Sequence, residues 1–81
     1  MEDLYVTQAI EHISGILGYA SEEISAEDTI ETIDKWDSLN HMRLILHIEE
    51  KLGSMIDTED TLLLFSVSGI AAYLRKSDNN T

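Results

Sequence analysis

A chain of 81 residues has room for one domain and one modest core, because small chains bury a smaller fraction of their surface, and a large enclosed active site is not expected. Five basic against sixteen acidic residues give a formal net charge of −11, which opposes nucleic-acid phosphates and anionic membrane surfaces and favours basic protein surfaces through salt-sensitive attraction. The lack of cysteine excludes disulfides and thiolate metal sites, so any thiol chemistry has to come from an added group.

The absence of proline and the presence of only four glycines favour helices over the frequent turns of a small all-β domain. Met1-Glu2-Asp3-Leu4 has no basic or apolar region of a secretory signal, and no apolar run reaches membrane-spanning length. A cytoplasmic protein with no membrane insertion is the expectation.

From about Asp3 to Leu17, Val6, Ile10, Ile13 and Leu17 step by helical intervals and predict a first helix, with Gly18 placed to end it through a left-handed residue. Residues 19–37 show no sustained period, carry many carboxylates, and offer isolated apolar anchors at Ile24, Ile30, Ile33 and Trp36. That pattern predicts a long loop, a feature often tied to function, and Ser25 with Asp28 has the spacing of a capping box that would start a short helical turn there.

Ser38 to about Leu52 predicts a second helix, closed by Gly53. Turned through about 100° per residue, its apolar residues form two groups. Leu44, Ile45, Ile48 and Leu52, with His41 among them, are expected to face the core. Leu39, Met42 and Leu46 lie roughly a third of a turn away and read as an exposed apolar patch beside Ser38, although a wide all-core face is common in small bundles and the spacing leaves that open. Asp57 or Thr58 is placed to cap a short third helix through about Leu64. Ser66 is placed to cap a fourth containing Val67, Ile70, Ala71 and Leu74, with Arg75 and Lys76 complementing its negative end. The sum is an all-α, four-helix bundle with a short third helix and a long loop between helices one and two, forming a single domain over residues 1–81 with 76–81 a frayed tail.

Few sites of chemistry emerge. His41 and His47 lack the spacing of a zinc-protease motif, the carboxylates Asp57, Glu59 and Asp60 lack the glycine and glutamate of a calcium loop, and no metal site is expected. His41 reads as a hydrogen-bonded, partly buried histidine, and His12 and His47 as residues on polar faces without an evident task. No Ser, His and Asp set suggests a hydrolase. Asn79-Asn80-Thr81 matches a glycosylation pattern that, without a signal peptide, reads as chance. Ser38 remains, and from spacing alone its bland reading is a helix-capping serine.

The string around it adds more. Asp37-Ser38-Leu39, opening an amphipathic helix after a long acidic loop, resembles the prosthetic-group attachment motif of acyl carrier proteins. The resemblance extends to Leu17-Gly18, to Ile30 and Ile33, to Glu49-Glu50-Lys51-Leu52-Gly53, and to the last helix from Val67 to Leu74. It implies a non-catalytic carrier in which Ser38 bears 4'-phosphopantetheine, attached from coenzyme A by a phosphopantetheinyl transferase with Mg²⁺, and in which the arm's thiol holds acyl groups as thioesters. The implied partners are that transferase and acyl-loading and acyl-processing enzymes, met by a monomeric carrier through Asp37, Leu39, Met42, Arg43 and Leu46. Leu62, Leu63 and Leu64 would line an acyl-sheltering groove or, equally, the core. Asn40, Arg43 and Trp36 depart from the pattern of fatty-acid carriers and point toward polyketide, nonribosomal-peptide or other specialised biosynthesis. The competing expectation is an unmodified helical adaptor. Charge is uneven: residues 1–37 hold ten acids and one base, whereas 38–56 hold two of each, so the first helix and long loop are expected to steer partners, with local specificity from Leu39, Met42, Arg43 and Leu46.

Overall fold

A computed structural model describes the backbone of residues 3–79 and the side chains of residues 3–77. Within it run four helices, α1 (Leu4–Leu17), α2 (Ser38–Leu52), α3 (Thr58–Thr61) and α4 (Val67–Asn79). Among the described residues no strand occurs beyond an isolated antiparallel pairing of Thr29 with Ser66.

Local chemistry sets the ends of α1. The Asp3 carboxylate accepts from the Tyr5 N–H at 2.9 Å, and this backbone donor, ahead of Arg75, holds the carboxyl below its ordinary pKa. Gly18 stops the helix at φ 79°, with its N–H bonded to the Ser14 carbonyl, a conformation that a side chain would strain. Ala9, Ile13 and Leu17 are buried, whereas Val6 and Ile10 are only partly so. The stripe therefore keeps Ile13 and Leu17 and turns toward Ala9, by roughly 30° about the helix axis. The small Ala9 side chain suits close packing, and α1 packs most extensively on α4 and next on α2.

The long loop is present, and its short helical turn lies at Ser21–Glu23, before Ser25 and not after it. Asp28 accepts from the Ser25 N–H at 2.8 Å, which is the capping-box contact, but no helix follows. The reason is tertiary. The Asp28 carbonyl accepts from the Val67 N–H and the Ile30 N–H donates to the Phe65 carbonyl, so backbone groups that a helix would use are paired with the start of α4. Ile24, Ile33 and Trp36 drop into the core.

On α4, Ser66 accepts from the Gly69 N–H at 3.0 Å, as expected of a cap. A Cβ at Gly69 would overlap the Leu63 carbonyl, so the glycine lets residues 62–65 lie against the helix. Arg75 and Lys76 do more than complement the helix end. Arg75 pairs with Asp3 and lies over the Tyr5 ring, while Lys76 bonds both oxygens of buried Asp60 at 3.1 and 3.3 Å. Anchored so, the helix continues through Asn79. Residues 76–79 of the predicted frayed tail are thus helical, and 80–81 lie outside the described residues. Of the chance match to a glycosylation pattern, Asn80 and Thr81 also fall outside them.

Candidate functional site

The start of α2 explains why Ser38 is not needed as a cap. Asp37 takes that position: its carboxylate accepts from the Asn40 N–H at 2.9 Å, and its carbonyl accepts from the His41 N–H at 2.8 Å. Ser38 becomes the first helical residue. It is exposed, and its hydroxyl makes no hydrogen bond with another described residue. The first N–H groups of a helix have no intrahelical acceptors, so the hydroxyl sits beside partial positive charge.

Four further contacts hold this corner together. The Asn40 side chain donates to the Lys35 carbonyl at 2.8 Å, while its oxygen accepts from Arg43 at 3.3 Å. Trp36 is buried, and its indole N–H donates to His41 Nδ1 at 2.9 Å. The His41 ring also stacks on Phe65 at 4.4 Å between ring centres. Loop, α2 and the segment before α4 are tied together by one histidine. Burial lowers the His41 pKa, which favours the neutral ring that can accept from Trp36.

Asp37, Leu39, Met42, Arg43 and Leu46 are all exposed, Leu39 by 69%, Met42 by 63% and Leu46 by 59%. The expected division of α2 into an inner and an outer group therefore holds at its main positions, with Leu44 and Ile48 fully buried. Leu52 departs from the expectation, being about one-third exposed at the helix end (36%). The Leu62-Leu63-Leu64 run divides between its two readings. Leu64 is fully buried, whereas Leu62 and Leu63 are exposed and, with Ile30 and Phe65, line an open depression of about 430 Å³.

Charge surrounds this surface unevenly. Glu22, Glu23, Glu27, Glu31 and Asp34 are exposed on the loop. Asp28 is engaged by Ser25 and Thr32, and its pKa is lowered chiefly by the Ser25 N–H. A charge change at Asp28 would break a turn as well as alter the field, so Glu27 is the cleaner probe of steering.

The sequence reading missed a second pair of rings. His12 and His47, taken as residues without a task, lie 3.1 Å apart across α1 and α2. Only the helical phase of each residue hinted at it, since 35 residues separate them. No protein-family model matches the chain, and no relative is found among curated proteins. No described helix is long and apolar enough to cross a membrane.

Proposed function

We propose that the protein is an acyl carrier whose Ser38 bears 4'-phosphopantetheine. The observation that carries this reading is the uncommitted hydroxyl: Asp37 caps α2, which leaves Ser38 exposed at a helix start that favours an attached phosphate. When bound, the arm supplies the terminal thiol that this cysteine-free chain lacks, and holds an acyl group as a thioester.

The chain's own residues do the positioning. Ser38 would hold the arm through its side-chain oxygen, which would take the place of the nucleotide phosphate leaving coenzyme A, with the hydroxyl proton passing to a base of the transferase. The N–H groups of the first turn would favour the negative charge of a phosphodiester there, and the Asp37 carboxylate, bonded to Asn40, is held in its capping role. Leu39, Met42 and Leu46 supply an apolar contact surface, with Met42 adaptable to several partners. Arg43 gives that surface a positive edge, and the loop carboxylates supply a field that steers basic surfaces toward it. The partners are a phosphopantetheinyl transferase and the enzymes that load and process the acyl group, in a cytoplasmic setting. Arg43 and Asn40 fit a carrier of specialised biosynthesis, such as polyketide or nonribosomal-peptide assembly, better than one of housekeeping fatty-acid synthesis. Bond-making belongs to the partners.

Intact-mass measurement tests the assignment. Incubated with coenzyme A, Mg²⁺ and a broad-specificity phosphopantetheinyl transferase, the unmodified chain is expected to gain one phosphopantetheine mass, and Ser38→Ala none. An unchanged wild-type mass would leave an unmodified adaptor as the better reading, and equal gains by both would move the attachment away from Ser38.

A further inference from the structure

His12 on α1 and His47 on α2 take no part in the surface around Ser38, and together they resemble half of a coordination shell. His47 Nε2 lies 3.1 Å from His12 Nδ1, with ring centres 5.0 Å apart and planes inclined by 68°. As neutral rings they share one hydrogen bond, which uses one N–H and one lone pair.

The same separations suit two lone pairs aimed at one ion. Zinc binds imidazole nitrogen at about 2.0–2.1 Å, and at a tetrahedral angle this puts two such nitrogens about 3.3 Å apart and their ring centres about 5 Å apart. Turning one ring to its other tautomer frees the second lone pair, so no proton has to leave a neutral pair. Both rings are half-buried, which leaves a side open to water and ions. The groups facing His12 are mixed in sign. Burial first and His47 second lower its pKa, Glu11 opposes them, and Lys51 adds to them. His41 is no rival, because its Nδ1 already accepts from Trp36.

We propose that His12 and His47 form a two-histidine site for a divalent transition metal ion of the zinc, nickel or copper class, clamping α1 to α2. Imidazole suits these ions, whereas magnesium and calcium favour oxygen ligands. Among the described residues no group of three or more histidine, cysteine, aspartate or glutamate side chains is placed to hold a metal, so water completes the shell and the ion exchanges readily. The site is independent of what Ser38 carries.

Thermal unfolding of the full chain tests it. At about five times its Kd, Zn²⁺ or Ni²⁺ is expected to raise the Tm by about 4–8 °C, the shift a ligand confined to the folded state gives at that concentration in a domain of this size. Mg²⁺ at the same concentration reads the contribution of the carboxylates and should give a smaller rise. His12→Gln and His47→Gln should each remove the zinc-specific part, and His41→Gln should retain it. A second measurement needs no variant: in the unaltered chain, sub-stoichiometric Cu²⁺ should broaden the NMR signals of His12 and His47 before any others. Equal shifts with Zn²⁺ and Mg²⁺, or broadening centred on the loop carboxylates or on His41, would overturn the proposal.

Discussion

On one side of α2, Leu44 and Ile48 are fully buried beside His41; on the other, Leu39, Met42 and Leu46 keep more than half of their surface in water. The residue types are alike, so hydrophobicity alone does not assign the sides. Position decides. α1 packs against α2, and the rings of Trp36 and Phe65 flank His41, while the outer row is left uncovered. Burying a side chain of this kind is worth about 1.5–3 kcal/mol. Three left exposed forgo that gain in the isolated chain, and a docked surface would supply it, which is the ground for proposing the outer row as a contact face.

Paired truncations of the two sides should show the largest contrast. Leu44→Ala is expected to destabilise the fold by about 2–5 kcal/mol through lost burial and a residual cavity. Leu46→Ala, read in the same urea titration, should change stability by at most about 0.5 kcal/mol. Similar losses at both positions would erase the distinction between core and contact surface.

A smaller contrast separates neighbours at the start of the helix. Asp37→Ala removes the acceptor for the Asn40 N–H and should cost about 1 kcal/mol. Ser38→Ala removes a hydroxyl with no described partner and should leave thermal stability within about 0.5 kcal/mol of the parent, while abolishing modification. A large loss at Ser38 would return that residue to a structural role.

The smallest effect is read by pH. Burial places His12 and His41 below their ordinary value of 6.5. A group whose folded pKa is depressed binds more protons when unfolded, so its contribution is complete above about pH 6.5 and is lost as pH falls through the folded value. Stability should therefore decline on mild acidification, before the carboxylates titrate. His41→Gln should reduce that dependence, and a dependence unchanged by this variant and by His12→Gln would assign it elsewhere.

What was legible in the sequence was what neighbours in the chain decide. Gly53 closes α2, Gly18 closes α1, and Ser66 opens α4, because caps and left-handed residues act over a few positions. The two groups on α2 were visible as angles on a helix. What escaped depends on distant partners. The Ser25–Asp28 box does not start a helix because the next backbone groups pair with residues 65 and 67. Gly69 looks like a flaw in a helix until Leu63 lies against it. His12 and His47 meet only when α1 and α2 pack, and Lys76 extends α4 only because Asp60 is buried within its reach. The candidate attachment point was legible as a motif, whereas its freedom from capping was not, since Ser38 and Asp37 are both good caps by type.

The pairing of Thr29 with Ser66 bears on mechanics as well as fold. It pins the long loop near its middle, and Trp36 pins it again just ahead of α2, so the start of the helix cannot swing on a slack tether. Anything hung from Ser38 then pivots about a fixed origin. The volume it sweeps would be set by its own length and joints, and on the proposed reading a partner's entrance would need only to lie within that radius.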